Sequence, residues 1–128
     1  MPGLTQPDQV ARSRAQVAAE AALAKKGSDV AILAVGDVLA IIDVFVLVSA
    51  ANVRQVRTIV EEVERAIGEL DGARPRSIEG LADASWVLMD YGDVVVHVFL
   101  EETRAYYDLD RLWSDVPHLA VPLAQTAT

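Results

Sequence analysis

The sequence has no cysteine, which excludes disulfide bonds, thiolate zinc sites and cysteine nucleophiles. Aromatic residues are scarce at 5% of the chain, and histidine occurs only 2 times. Basic residues are outnumbered, with 11 Lys and Arg against 19 Asp and Glu, which gives a formal net charge of -8. This charge disfavours direct binding to a phosphate backbone and favours a basic protein as the partner.

The sequence also lacks an uninterrupted hydrophobic run long enough for a membrane helix. Residues 30–53 come nearest, but Gly36, Asp37 and Asp43 interrupt them. A central aspartate costs on the order of 2.5–3.5 kcal/mol on membrane insertion, so we expect two buried strands with a bend between them. The first residues show no compact apolar segment with a cleavage site, and the expected location is therefore the cytoplasm.

The composition of the chain is that of a globular protein, with 52% hydrophobic and 23% charged residues over 128 residues. This length suits one domain with one core. A first helix is predicted to begin with Thr5 as its cap and to end at Lys25 and Lys26. Gly27 is expected to take the left-handed position that closes such a helix.

Hydrophobic periodicity places the remaining elements. Asn52 and Gln55 have the spacing of a capping box in front of the most regular apolar stripe in the chain. Pro75 marks its strand as an edge strand. The predicted elements are strands 31–35 and 44–49, helix 53–70, edge strand 74–79, strands 86–90 and 94–99, and helix 101–107. The sequence thus predicts an α/β fold, a mixed β-sheet flanked by helices in the order α-β-β-α-β-β-β-α.

His97 is a candidate metal ligand or general base within strand 94–99. Because side chains alternate along a strand, His97 shares a face with Val95 and Phe99. A metal would need further converging ligands, and the other histidine, His118, lies near the end of the chain. The favoured interpretation is a half-buried imidazole that is hydrogen-bonded to a neighbour.

Asp90 and Asp93 are candidate paired carboxylates for a magnesium-dependent phosphoryl-transfer enzyme, and this remains the alternative hypothesis. Such a site usually has a glycine-rich turn before a helix to hold the phosphates. The corresponding junction, residues 49–52, reads SAAN and contains neither glycine nor lysine. The sequence therefore favours a protein that is not an enzyme.

All tyrosines and tryptophans lie in the C-terminal part of the chain, where acidic residues are interspersed. They are Trp86, Tyr91, Tyr106, Tyr107 and Trp113. Trp113 and one of the two adjacent tyrosines are predicted to be buried. The exposed remainder would form a protein-docking patch, because tyrosine and tryptophan are the side chains that most often anchor interfaces.

Residues 86–113, WVLMDYGDVVVHVFLEETRAYYDLDRLW, resemble the signature segment of the ribosomal silencing factor family, also called the iojap-like family. Residues 41–63 and 77–86 resemble the family's second strand with its helix and the loop before the tryptophan strand. The sequence departs from the family at residues 42–45, IDVF for the common T-D-x-F, and at residues 50–51, where a glycine is frequent. The resemblance covers residues 30–113 and, less distinctly, the first helix, and we assign residues 5–116 to this domain. Pro117 and Pro122 mark residues 117–128 as a predicted flexible tail.

The resemblance implies a non-enzymatic translational repressor without cofactor or metal. Family members bind the large ribosomal subunit through its ribosomal protein fourteen and sterically block the small subunit, which lowers translation when nutrients are limited. Links to large-subunit assembly belong to the family, and some members form homodimers when free. Little nucleic-acid contact and no membrane contact are expected. The implied fold is similar to a nucleotidyltransferase core without catalytic residues.

The resemblance also implies which residues form the surface that binds the ribosomal protein. Trp86 and Val87 match the strand residues expected at the contact. The full implied set is Trp86, Val87, Tyr91, Asp93, His97, Glu101, Arg104, Tyr107 and Trp113.

Overall fold

The structure, a computed structural model, describes residues 8–39 and 41–122. Its elements are α1 (Gln9–Ala24), β1 (Ser28–Ala34), β2 (Val44–Ala50), α2 (Val53–Asp71), β3 (Ser77–Glu79), β4 (Trp86–Asp90), β5 (Val94–Leu100), α3 (Glu101–Tyr107), α4 (Leu109–Leu112) and β6 (His118–Leu119). Within these residues, the strands form one 6-stranded sheet in the order β3-β4-β5-β2-β1-β6. Only the central β2–β5 pair is parallel, so the predicted mixed sheet flanked by helices is confirmed.

The C-terminal segment contributes an edge strand that the sequence did not predict. His118 and Leu119 pair with Leu33 and Ile32 of β1, and the carbonyl oxygen of Pro117 accepts a hydrogen bond of 2.9 Å from the amide of Ala34. The predicted flexible tail, residues 117–128, therefore begins with residues that belong to the sheet. Residues 123–128 lie outside the described part of the chain.

Helix α1 lies close to the sheet because its inward stripe is almost entirely alanine. The buried residues of α1 are Ala11, Ala15, Ala18, Ala19, Ala21 and Ala22. The carboxylate of Asp8 caps the helix by accepting a hydrogen bond of 2.9 Å from the amide of Ala11. Thr5, the predicted cap, lies outside the described residues. A stripe of methyl groups allows a closer approach than a stripe of leucines would.

The C-terminal end of α1 differs from the prediction. Lys26 takes the left-handed conformation, with φ 67°, and Gly27 does not. Gly27 is needed for space, because a Cβ at this position would lie 2.7 Å from Cγ1 of Val48 in β2. The predicted reason for a glycine at this position, a left-handed backbone conformation, is therefore wrong.

Replacing Gly27 by alanine is expected to lower the free energy of unfolding by about 1–2 kcal/mol, since the added methyl group must displace Val48. Gly68 is the matched control: a Cβ there meets nothing within 4 Å on the exposed side of α2. Gly68→Ala is expected to stabilise by about 0.5–1 kcal/mol through helix propensity. Urea denaturation measures both variants, and effects of the same sign would contradict the close contact at Gly27.

Helix α2 begins as the sequence predicts, with one shift. The side-chain oxygen of Asn52 accepts a hydrogen bond of 2.8 Å from the amide of Gln55, as expected for the cap. The side chain of Gln55 reaches back to the amide of Ala51 at 2.7 Å, one residue before the predicted partner. These two bonds provide partners for the amide of Gln55, in the first turn of α2, and for the amide of Ala51, just before the helix.

The two faces of the sheet are covered unequally. Helices α1 and α2 pack on one face, and Val44, Val46 and Val48 of β2 point into this main core. The other face is covered by the short helices α3 and α4, over a smaller cluster that includes Phe45 and Phe99. No helix among the described residues is long and apolar enough to cross a membrane. The thinly covered face is where aromatic side chains remain accessible.

Candidate functional site

A cluster of rings occupies the thinly covered face at the start of β4. We define this aromatic cluster as Trp86, His97, Phe99 and Tyr107. The ring of Trp86 lies 5.7 Å from that of Phe99 and 5.4 Å from that of Tyr107, measured between centroids. The indole Nε1 of Trp86 donates a hydrogen bond of 3.2 Å to Nδ1 of His97. This bond fixes the tilt of the half-buried indole, which is open to solvent on one side.

Trp113 extends the cluster across the same face. Its ring meets the ring of Phe45 edge-on at 5.1 Å, and Phe45 meets His97 at 4.6 Å in the same manner. Edge-to-face contacts of this kind are favourable because the positive edge of one ring meets the negative face of the other. Trp113 is only partly buried, so the prediction of a buried Trp113 holds in part.

His97 is more deeply buried than the sequence predicted, with 8% of its surface exposed. Its predicted hydrogen bond to a neighbour is confirmed, and the neighbour is Trp86. Because Nδ1 accepts that bond, the neutral ring carries its proton on Nε2, which is buried without a partner among the described residues. Burial lowers the pKa of His97 to about 4 from an ordinary 6.5.

The lowered pKa of His97 predicts a loss of stability in mild acid. The unfolded chain takes up a proton near pH 6.5 while the folded chain stays neutral to about pH 4, so stability is present above 6.5 and falls as the pH drops through this window. Between pH 6.5 and 5.5 the loss attributable to His97 is about 1 kcal/mol. His97→Asn keeps an acceptor for Trp86 and should remove this part of the slope in urea denaturation.

His118, the other histidine, provides the control because it is exposed. His118→Gln should retain the slope of the parent chain. A slope unchanged in His97→Asn would contradict the assignment to the buried imidazole.

The two adjacent tyrosines are both exposed, Tyr106 by 81% and Tyr107 by 55%. The prediction that one of them is buried is therefore wrong. The inward position of the seven-residue helix α3 is taken by Arg104, the one buried residue of that helix. The buried tyrosine is Tyr91, which lies on the opposite face.

Arg104 joins α3 and α4 to the sheet. Its guanidinium donates to the carbonyl oxygen of Asp29 at 2.6 Å and to the hydroxyl of Ser49 at 3.0 Å. It also forms a forked pair with the carboxylate of Asp110, at 3.1 and 2.7 Å. The guanidinium lies 5.5 Å from the ring centre of Phe99. The hydrogen bond from Arg104 holds the pKa of Asp110 below its ordinary value.

The rest of the implied binding set is dispersed. Val87 and Tyr91 are buried in the main core beneath α1 and α2, and burial raises the pKa of Tyr91 to about 12. Asp93 forms an ion pair of 3.1 Å with Arg14 of α1. Glu101 is exposed at the start of α3 and accepts a hydrogen bond of 3.4 Å from the hydroxyl of Ser28. The structure thus brings together Trp86, His97, Arg104, Tyr107 and Trp113, and places Val87, Tyr91 and Asp93 elsewhere.

The carboxylates of the phosphoryl-transfer alternative have local partners. Asp90 accepts a hydrogen bond of 2.8 Å from the amide of Gly92, which stabilises the turn between β4 and β5. Asp93 is held by Arg14. Across residues 8–39 and 41–122, no group of three or more His, Asp or Glu side chains converges as metal ligands would. This geometry gives the alternative no support.

Comparisons with known proteins agree on one family. Residues 8–128 match the family described as "Ribosomal silencing factor during starvation". The sequence is 36% identical to "Ribosomal silencing factor RsfS" of Bacillus subtilis over 106 aligned residues. The alignment covers 83% of this chain and 89% of that protein. A mouse protein named "Mitochondrial assembly of ribosomal large subunit protein 1" is 30% identical over 91 residues, 67% of this chain and 39% of that protein. A crystal structure from Chromobacterium violaceum has a TM-score of 0.76 at 32% identity, over 89% of this chain and 95% of that one.

Proposed function

The chain belongs to the ribosomal silencing factor family, and we propose that it represses translation by binding the large ribosomal subunit and preventing the small subunit from joining it. A relative named for assembly of the ribosomal large subunit supports that subunit as the partner. The docking partner we propose on it is ribosomal protein fourteen, and the condition is nutrient limitation. The site of action we propose is the cytoplasm.

The observation that carries this proposal is the exposed side of the aromatic cluster. Trp86 is half-buried beside the exposed Tyr107, on the sheet face that α1 and α2 leave uncovered. Such side chains anchor protein interfaces because they offer a large contact area with few rotatable bonds. Exposed Glu101, Glu102 and Asp108 border this region. An acidic border accelerates encounter with a basic protein surface.

Within the implied set, we propose that some residues make contacts and others support them. We assign Trp86 and Tyr107 to direct contact because both are accessible. His97 and Arg104 act through them, since His97 holds the indole and Arg104 holds the helix that carries Tyr107. The buried Val87 maintains the strand beneath.

The proposed mechanism requires occupancy alone. A domain of 13.8 kDa held on the face of the large subunit that meets the small subunit excludes it by volume. The aromatic cluster supplies the attachment, and no step makes or breaks a covalent bond. Repression then depends on how long the domain stays bound, which is set mainly by the dissociation rate.

Sedimentation with purified ribosomal subunits tests the binding step. The protein is expected to migrate with large subunits and to stay at the top of the gradient with small subunits. Migration with small subunits alone, or with neither, would overturn the proposed function.

A further inference from the structure

The aromatic cluster borders an open groove that contains residues outside the implied binding set. The groove lies between the start of β4 and the outer side of α3, with a volume of about 420 Å³. Its lining residues are Ser85, Trp86, Glu102, Thr103, Tyr106 and Tyr107. We propose that this groove is a subsite for an arginine side chain of the docking partner, with Trp86, Tyr106 and Tyr107 as its walls and Glu102 as its counter-charge.

The three rings stand in different planes, as the walls of a cation site do. Tyr106 and Tyr107 are 4.9 Å apart between centroids and perpendicular, at 90°. Trp86 is 5.4 Å from Tyr107 and inclined to it by 48°. The face of an aromatic ring is negative and attracts a cation, and all three rings line the groove. Rings that served only to fill a core would be buried, whereas 81% of Tyr106 is exposed.

Glu102 supplies the charge that selects a cation. Its side chain is exposed and lines the groove, and no described residue forms a hydrogen bond or an ion pair with it. The nearest arginine in sequence, Arg104, points inward and is engaged by Ser49 and Asp110. The groove therefore has an acidic group without a counter-ion from its own helix.

Arginine is the cation that these features fit best. Its planar guanidinium stacks on aromatic faces and forms forked hydrogen bonds with a carboxylate, whereas lysine is a strongly hydrated point charge. The groove is open on one side, as stacking of a flat group requires. A formal net charge of -8 favours a basic protein surface as the source of that arginine. This inference rests on the proposed function, since it names the chemistry of the docking partner.

Binding to purified large ribosomal subunits, measured at several salt concentrations, tests the subsite. Tyr106→Leu keeps an apolar side chain but removes the ring, and it is expected to raise Kd by about fivefold. Tyr106→Phe keeps the ring and is expected to stay within about twofold of the parent chain. Glu102→Gln is expected to raise Kd and to reduce the salt dependence. Glu61→Gln, an equal change of charge on the exposed side of α2, is the control and should bind as the parent chain does.

Each other outcome has a definite meaning. Normal binding by Tyr106→Leu and Glu102→Gln would overturn the subsite and leave the proposed function intact. Equal losses in Tyr106→Phe and Tyr106→Leu would assign the effect to the hydroxyl, and equal losses in Glu102→Gln and Glu61→Gln would assign it to net charge; either overturns the subsite. A parent chain that fails to bind large subunits overturns the proposed function and the subsite together. Self-association that Tyr106→Leu abolishes, measured by sedimentation, would identify a second copy as the occupant instead.

Discussion

Trp86→Ala is expected to weaken binding to large ribosomal subunits by about 2 kcal/mol or more, about thirtyfold in Kd. The indole of Trp86 is accessible on the thinly covered face and is held in place by its neighbours. Its hydrogen bond to His97 and its contacts with Phe99 and Tyr107 orient it before binding. An anchor that is already oriented loses little side-chain entropy on association, so its truncation has a large effect.

The control for this substitution is another exposed apolar side chain away from the cluster. Leu70 lies at the end of α2 and is exposed. Leu70→Ala should bind large subunits within about twofold of the parent chain, as an energetically neutral surface position does. Because the indole also packs against Phe99, thermal unfolding of Trp86→Ala must accompany the binding measurement. A folded Trp86→Ala chain that binds as the parent chain does would refute the anchor.

Tyr107→Ala tests the aromatic cluster independently if Trp86→Ala is poorly folded. Tyr107 is more than half exposed, so its removal disturbs the fold less, but it deletes the ring that lies beside the indole. We expect a smaller loss of binding, about 1 kcal/mol. Unchanged binding in Tyr107→Ala would also count against the aromatic cluster as the docking surface.

Arg104→Ala is expected to lower the free energy of unfolding by about 3 kcal/mol. The substitution removes four hydrogen bonds from a buried guanidinium, including those to the Asp29 carbonyl and the Ser49 hydroxyl. It leaves the Ser49 hydroxyl buried without that donor, which carries its own desolvation cost. The carboxylate of Asp110 is mostly exposed, so water can solvate it once the Arg104 side chain is removed. The expected loss of stability is therefore at the lower end of the range for breaking a buried ion pair.

Arg111 is the matched control for Arg104, since it lies in the adjacent helix α4 and is 86% exposed. Its ion pair with Asp108 is 4.0 Å long, so Arg111→Ala should change stability by less than about 0.5 kcal/mol. Arg104→Lys keeps the charge but not the planar fork and should recover only part of the loss. Urea denaturation measures all three variants, and equal losses for Arg104→Ala and Arg111→Ala would contradict the role of the buried guanidinium.

The helices and central strands were predictable because their signals are local. The apolar stripe of α2 and the valine-rich runs of β2 and β5 specify type and approximate bounds, which the structure confirms within a few residues. The strand β6 was not predictable, because two residues have no periodicity and the pairing partner lies in β1, far away in the chain. The same holds for the parallel pairing of β2 with β5.

The candidate site was predictable in composition but not in arrangement. The sequence shows which residues are aromatic, and strand alternation correctly places His97 on the face of Phe99. It does not show that Arg104 takes the inward position of α3, since a charged residue is normally assigned to the exposed side. Because Arg104 takes the inward position, Tyr106 and Tyr107 both lie on the exposed side of α3. Arg104 is held by Ser49 of the distant strand β2 and by Asp110 of the adjacent helix α4. No pattern in the sequence marks either residue as its partner.

A subunit-joining assay tests whether the bound protein excludes the small ribosomal subunit. Large subunits are first saturated with the protein, small subunits are then added, and light scattering or a sucrose gradient measures the complete ribosomes that form. At the lowest concentration that saturates the large subunits, the parent chain is expected to reduce joining strongly, whereas Trp86→Ala, with a Kd about thirtyfold higher, should leave joining close to normal. Complete joining while the parent chain remains bound to the large subunits would contradict exclusion of the small subunit by the bound protein.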